Sequence, residues 1–515
     1  METLVTTITR AAVDLLPGPV GPDTDLFDTG ADSVTTVQLV NRLRQLHGCL
    51  VTPPDVVTGR TPRLIAEIVA GRSGSECAAG APLVGTPRGG VTRLVGGLPV
   101  SQHRMWYLEQ QRPGSGDAIN PMLFRIRGPL DLPALARALS YLVDRHSALR
   151  TILTTDDGWR VTPLVLPPGS EPELSTVEVA GAGLLAAIEG LLWEPFDMGR
   201  DRPLRSRLFR LGPADHCLAL GLHQTAYDGW SDGLICRDLA IAYRSFHSGQ
   251  EPDLPAVPGF QEVAAEVTGA PADEQFWLEH LRGVPDMPCE MLPSSPSGPV
   301  DDQPVRLSAV NAERLRRTCR CYATMPSAVY LAAWILALRE ETGADDFAVG
   351  LALAGRTQPA AENVVGAFAS SAILRFPSSV GAGDCLQHAT ALLGRVLTDQ
   401  FMPLERLYWE LQPTSTGRAP FCQVGFLLQG TEHPGLVLPG LSVTRIWMPQ
   451  RTSVLELCLA LLPVSGGDSH IWYRTDAVSP QRAARLAERW LWHVARLGDE
   501  VAGDASSTVD IGGVG

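Results

Sequence analysis

The sequence predicts a small all-α unit followed by a larger, two-lobed α/β region. Three observations predict it. Residues 1 to about 72 carry their apolar side chains at helical spacing. Residues 73–93 are rich in Gly, Ser, Ala and Pro, show no periodicity, and read as a flexible linker. The remainder, about 94 to 505, mixes helical and alternating patterns and is too long for one ordinary core, so two lobes are expected.

The elements follow in order. Leu4, Ile8, Ala11 and Leu15 recur at the period of a first helix, and a turn-rich stretch from Pro17 to Thr29 follows. Ser33 then precedes a second periodic run of Val34, Val37, Val40 and Leu43. A further helix is expected from Thr61 to Ala70, with Pro62 in its first turn, where a missing N–H costs nothing. Three or four short helices around one small core make up this unit. In the large region, Pro133 to Arg145 reads as a helix, and Leu218 to Leu222 as a buried strand that ends in a polar loop. Met325 to Glu341 reads as a buried helix with Leu331, Trp334, Ile335 and Leu338 on one side. Phe421 to Leu428 reads as a strand, and Ser479 to Leu497 as a closing amphipathic helix. The lobe boundary is placed near residue 270, giving lobes of 94–270 and 271–505 and a tail of 506–515.

Composition removes several function classes. Hydrophobic residues are 45% and charged residues 19%, the balance of a soluble globular chain. The net charge of −14 argues against a nucleic-acid partner, which needs a basic face. The sequence contains no lysine, so all 42 cationic side chains are arginine. That excludes a Schiff-base lysine, a lysine general base and a P-loop lysine. The ten cysteines are scattered without a CxxC or a Cys/His cluster, so no structural metal site is expected, and a reducing cytoplasm is. No secretory signal is expected at the N-terminus, and the apolar run Ala328 to Leu338 is too short to span a membrane.

Two stretches carry chemistry. The first is Leu26-Phe27-Asp28-Thr29-Gly30-Ala31-Asp32-Ser33-Val34, a flexible turn leading into a helix. By itself Ser33 reads as a helix N-cap. In its setting, midway along a small acidic helical unit with a flexible tether, it resembles the attachment stretch of the peptidyl carrier domains of nonribosomal peptide synthetases. The family pattern is Gly-Gly-x-Ser, and here Ala31 stands for the second glycine. The resemblance covers residues 1 to about 72 and implies covalent 4′-phosphopantetheine on Ser33. A helix N-terminus also favours the phosphate.

The second stretch is Leu222-His223-Gln224-Thr225-Ala226-Tyr227-Asp228-Gly229-Trp230-Ser231, a strand running into a polar loop. A lone histidine there would read as a satisfied core residue. Five further segments, in order, resemble the condensation domain of the same synthetases: Leu98 to Trp106, Arg145 to Thr151, Val365 to Arg375, Met402 to Leu407, and Phe421 to Val424. The resemblance implies two chloramphenicol-acetyltransferase-like α/β lobes forming a V, with His223 to Gly229 at the floor between them. That loop occupies the place of the family's HHxxxDG. His223, Asp228 and Gly229 match, and Gln224 stands where the family's second histidine faces the reaction centre. The resemblance gives Asp228 a structural role, held by an arginine, and gives His223 a role in supporting the loop.

A histidine near pKa 6.5 exchanges protons at neutral pH. A glutamine amide does not, but it donates and accepts hydrogen bonds. Gln224 can therefore orient an amine and stabilise an oxyanion, and it gives up the general-base contribution. Three readings stay open. The domain forms amide bonds without a dedicated base; or it modifies the carrier-bound chain, for example by dehydration; or it is a catalytically silent docking platform. Tyr227, three residues on, is a candidate substitute polar group. Trp106, Trp230, Trp277 and Trp334 read as core, and Arg145, Arg150 and Arg375 as structural ion-pair partners. The implied partners are an upstream loading or adenylation domain, a downstream acceptor carrier and a phosphopantetheinyl transferase. Because the carrier precedes the large domain, it reads as the donor.

Overall fold

The computed structural model describes residues 2–47, 51–72, 94–95, 98–111, 116, 118–155, 161–169, 174–267, 273–293, 295–398, 400, 402, 404–413, 418–428, 435–446, 448, 451–461 and 469–507. The linker expected at 73–93 and the lobe boundary near 270 fall outside these residues.

The small unit has four helices, α1 (Glu2–Val13), α2 (Ser33–His47), α3 (Pro53–Gly59) and α4 (Pro62–Arg72). Val5, Ile8, Leu39, Leu43, Val56 and Ile65 are buried between them; of the apolar positions expected, Ile8, Ala11, Val40 and Leu43 are buried, while Leu4, Leu15 and Val37 are half-buried. Gly30 adopts φ 107°, a conformation that strains any residue with a Cβ, and so turns the chain into α2.

The large region opens with α5 (Val100–Gln111), α6 (Leu132–Arg145), α7 (Leu184–Leu192) and α8 (Gly229–His247). A five-stranded sheet runs in the order Ser442–Ile446, Ile119–Arg127, Asp215–His223, Leu204–Gly212, Ser175–Glu178. Its central strand explains the unbroken apolar run Leu218 to Leu222. Alternate residues point to opposite faces, and both faces are covered. Leu218, Leu220 and Leu222 share a cluster with Leu135, Leu142 and Leu239 of α6 and α8, while Cys217 and Ala219 pack with Ile188, Leu191 and Leu192 of α7.

A seven-stranded sheet runs in the order Ser370–Phe376, Phe347–Leu353, Val424–Leu428, Leu457–Leu461, Ser469–Arg474, Gly298–Val305, Thr452–Ser453. The helix Pro326–Thr342 lies in its core. Every residue from Ser327 to Leu338 is buried, so burial extends all round rather than to the single side expected. A helix enclosed on all faces has no polar stripe to reveal its orientation. The closing helix spans Pro480–Ser507, so the expected tail at 506 begins inside it.

One segment departs from a simple division at residue 270. Ser442–Ile446 leaves the second half of the chain and pairs antiparallel with Ile119–Arg127 at the edge of the first sheet. Backbone pairing across such a sequence distance leaves no local pattern. Arg445 on this strand meets the buried carboxylate of Asp232 on α8, fixing the crossover to the first lobe.

The small unit is seated on the second lobe. Its buried side chains continue into one apolar cluster with Leu315, Cys319, Met325 and Val329. Arg60, only 7% exposed, donates from Nη1 to the carbonyls of Cys319 (2.8 Å) and Thr324 (2.7 Å), and from Nε to Asp25 at 2.7 Å. Asp28 accepts from Arg320 at 2.7 Å.

The segment Arg145 to Thr151 does structural work, as expected. Arg145 Nε and Arg237 Nε donate to the buried Asp238 at 2.8 and 2.7 Å, and His146 Nε2 lies 3.0 Å from the same carboxylate. Burial opposes the Asp238 charge, but the bonds to His146 and Arg237 outweigh it and hold the carboxyl down to about 2. A depressed carboxyl contributes stability above its unfolded value near 3.9 and loses it as pH falls through its folded value. The stability difference between the native chain and Asp238→Asn is therefore expected to shrink by about 2 kcal/mol between pH 5 and pH 2 in denaturant titrations.

Candidate active site

The strand Asp215–His223 delivers the loop, and α8 receives it. Asp228 is the N-cap of α8: its Oδ1 accepts from the Ser231 N–H at 2.9 Å and from the Ser231 hydroxyl at 2.7 Å. A cap with a satisfied first turn gives the helix a fixed start. Arg356 is the arginine that holds Asp228, with Nη2 donating to Oδ1 at 2.8 Å and Oδ2 at 3.0 Å; the Phe368 N–H donates to Oδ2 at 3.0 Å. Arg356 is 1% exposed. Burial acts to lower its pKa and Asp228 opposes that, so each charge depends on the other. Its Nη1 also donates to the carbonyls of Ala361 and Val364. Nothing in the sequence distinguishes Arg356 from the other arginines. Gly355 before it adopts φ 65°, and a Cβ there would lie 1.9 Å from the Phe368 carbonyl oxygen.

The other end of the loop is equally braced. Gln102 of α5 donates from Nε2 to the Thr225 carbonyl at 2.8 Å and accepts from Gln261 at 2.9 Å. His223, 1% exposed, accepts at Nδ1 from the Thr225 N–H at 3.3 Å, with the Thr225 hydroxyl 2.9 Å away. Its ring meets Phe196 edge to face at 5.6 Å. Among the described residues its Nε2 has no hydrogen-bond partner, and Glu109 Oε2 of α5 stands 3.8 Å from it. Glu109 is a neighbour that sequence reasoning missed. Segments Leu98 to Trp106, Arg145 to Thr151 and Val365 to Arg375 converge here: Ser147 accepts from the Phe260 N–H at 2.9 Å, and Phe260 packs on Phe368 at 4.9 Å.

Gln224 itself is half-buried, and its backbone N–H donates to the Ala118 carbonyl at 2.8 Å. Among the described residues its carboxamide has no hydrogen-bond partner, in contrast to the carboxylate of Asp228, which is bonded to Ser231, Arg356 and Phe368. Gly229 is exposed and begins α8. Tyr227, the substitute expected three residues on from Gln224, turns away from the loop. Its ring is buried in the first lobe's core, its hydroxyl donates to Asp232 at 3.2 Å, and burial raises its pKa well above the phenol value. Burial also pushes the thiols of Cys217 up to about 11 and of Cys236, Cys319, Cys385 and Cys458 up to about 12, so none of them supplies a thiolate nucleophile. Trp106, Trp277 and Trp334 are buried, while Trp230 is half-buried and donates to the Glu362 carbonyl at 3.0 Å. Arg375 pairs with Asp346 as expected, whereas Arg150, expected in an ion pair, instead donates to the carbonyls of Val143 and Leu166, with no carboxylate partner among the described residues.

At the start of α2 the capping residue is Asp32 rather than Ser33. Asp32 Oδ1 accepts from the Thr35 N–H at 2.7 Å and its hydroxyl at 2.8 Å. Ser33 is the first residue of the helix.

Two sheets with flanking helices, a braced loop at the end of a central strand, and a helical unit with a serine at a helix start together define a chloramphenicol-acetyltransferase-like scaffold paired with a carrier. The chain belongs to the condensation-domain family: the model described as "Condensation domain" matches residues 97–506, and that described as "Phosphopantetheine attachment site" matches residues 4–69. The attachment site implies covalent 4′-phosphopantetheine. The nonribosomal peptide synthetase penN of Penicillium thymicola is 30% identical over 91% of this chain and 18% of its own length. The isonitrile lipopeptide synthase of Mycobacterium tuberculosis is 28% identical over 91% of this chain and 20% of its own. The chain spans about a fifth or less of the length of such relatives. The X-domain from teicoplanin biosynthesis shares the fold with a TM-score of 0.69 at 23% identity, covering 81% of this chain and 96% of that one. The first condensation domain of the calcium-dependent antibiotic synthetase, in complex with a substrate analogue, gives 0.64 at 20% identity, covering 79% and 96%. Among the described residues no single helix is long and apolar enough to cross a membrane.

Proposed function

We propose that the chain is a donor carrier and condensation domain of a nonribosomal peptide synthetase, forming an amide between the chain held on Ser33 and an amine on a downstream carrier. In this reading the carrier is 1–72, and the condensation domain is 94–505 with its lobes parting near 270. An upstream adenylation domain and a phosphopantetheinyl transferase load the carrier. The observation that carries the reading is the loop. His223 and Asp228 are engaged in holding it, while among the described residues the Gln224 carboxamide has no hydrogen-bond partner.

The phosphopantetheine on Ser33 supplies, when bound, the thiol that carries the acyl chain. Amide formation makes a C–N bond, breaks the C–S bond and releases one proton from the amine. Gln224 can accept from the amine N–H and so orient its lone pair, and its own N–H can donate to the developing oxyanion. It does not take the proton, which passes to solvent or the departing thiolate. His223 keeps the loop in register through Thr225, and Asp228 keeps α8 in place.

Intact-protein mass spectrometry tests this. With the carrier loaded with an aminoacyl-phosphopantetheine and a loaded downstream carrier added, the donor acyl mass is expected to move to the acceptor. Ser33→Ala is expected to abolish loading. Loss of one water from the Ser33-bound chain without an acceptor would instead mark a modifying domain. Unchanged masses on both loaded carriers would mark a silent platform.

A further inference from the structure

We infer that the docked carrier is part of the active-site scaffold: Asn41 of α2 holds the residue that holds the catalytic loop. This rests on the reading of the small unit as the donor carrier.

Asn41 is 2% exposed and donates from Nδ2 to the backbone carbonyl of Arg356 at 3.1 Å. Arg356 is the residue whose guanidinium clamps Asp228, the N-cap of α8. One residue is thus gripped from two sides, by the carrier at its backbone and by the loop at its side chain. The segment that follows is shared as well. Trp230, two residues after Asp228, donates to the Glu362 carbonyl, and Arg237 of α8 donates to Asn363 at 2.9 Å. Burial raises the pKa of Glu362, and Arg42 and Asn41 of α2 are among the groups that oppose the rise, so α2 faces this segment with two polar side chains.

The placement is specific to α2. Asn41 lies eight residues after Ser33, a little over two turns or about 12 Å along the helix. The helix that bears the attachment serine is therefore the helix that touches the loop's brace. Other polar contacts, Arg60 to Cys319 and Thr324 and Asp28 to Arg320, lie elsewhere on the second lobe and give affinity without touching Arg356. Docking delivers the arm, and through Asn41 it also restrains the 356–368 segment and with it the loop carrying Gln224.

The test separates bracing from delivery by removing the arm. In the full chain carrying Ser33→Ala, the donor is supplied as a soluble aminoacyl-pantetheine thioester and the acceptor as a loaded carrier. Asn41→Ala is expected to lower kcat about five- to tenfold with KM little changed, the size expected from one buried hydrogen bond. Asn41→Ser, which keeps a donor, is expected to recover part of the loss. Hydrogen–deuterium exchange gives a readout independent of turnover: amides of 223–231 and 356–368 are expected to exchange about tenfold faster in Asn41→Ala, while Ser175–Glu178 is unchanged. If Ser33→Ala itself shows no turnover, the proposed reaction fails and the exchange data still decide the coupling. Unchanged exchange in both segments overturns the inference. Arg60→Ala, which removes the carrier's bonds to the carbonyls of Cys319 and Thr324, is expected to give the same exchange pattern and serves where Asn41→Ala does not fold.

Discussion

Arg356→Ala is expected to destabilise the condensation domain by about 3–5 kcal/mol, the cost of leaving one partner of a buried ion pair without the other. Asp228 is 8% exposed and would lose the bidentate contact to Arg356 while remaining enclosed by Ser231 and Phe368. The carbonyls of Ala361 and Val364 would lose their donor at the same time. Denaturant titration of the native chain and the variant measures the loss. The double variant Arg356→Met, Asp228→Asn is expected to recover part of it, because the unpaired charge is gone, although the carbonyls stay unsatisfied. A loss below about 1 kcal/mol for Arg356→Ala, well under the range for a buried pair, would mean that the pair does not hold the loop.

Gln224→His is expected to raise the rate of acyl transfer by about 10²–10⁴-fold, the usual contribution of a positioned general base. The gain has a definite pH dependence. Imidazole accepts the amine proton only when neutral, so the advantage is expected to be small at pH 5.5 and to grow through about 6.5 toward pH 8. Native Gln224 has no titrating group at that position and is expected to show no matching step. Transfer followed by intact mass at the two pH values measures both. Equal or slower transfer in Gln224→His at every pH would show that the glutamine serves another reaction, since the surrounding brace is the one a base would use.

The two predictions test different parts of one loop, and the same contrast shows what could be read from residues alone. The four-helix unit was legible because its helices each bury one stripe, so Ile8, Leu43 and Ile65 appear at the period that the core demands. The loop was legible as a strand end followed by polar residues and a glycine, and His223, Gln224, Asp228 and Gly229 share it because they fall within seven residues of the sequence. Ser33 was legible as a helix start, though its expected capping role belongs to Asp32, one residue earlier. A run offering two capping side chains does not say which one reaches the N–H of Thr35.

The remaining features were decided by tertiary structure. The partner of Asp228 is 128 residues away, and every candidate in a chain whose cations are all arginine looks alike. Tyr227 lies three residues from Gln224, yet it turns into the core toward Asp232 because the loop enters α8 there. The crossover strand Ser442–Ile446 joins the first sheet through backbone hydrogen bonds, which carry no side-chain signature. Asn41 looks like any polar residue on an amphipathic helix, and only the seating of the carrier buries it against Arg356. Local sequence determined which elements form and where the loop from His223 to Gly229 lies, because helix and strand periods and turn residues act over a few positions. Three-dimensional packing determined which charges meet and which polar atoms are bonded, because those pairings depend on distances between segments that the sequence order does not encode.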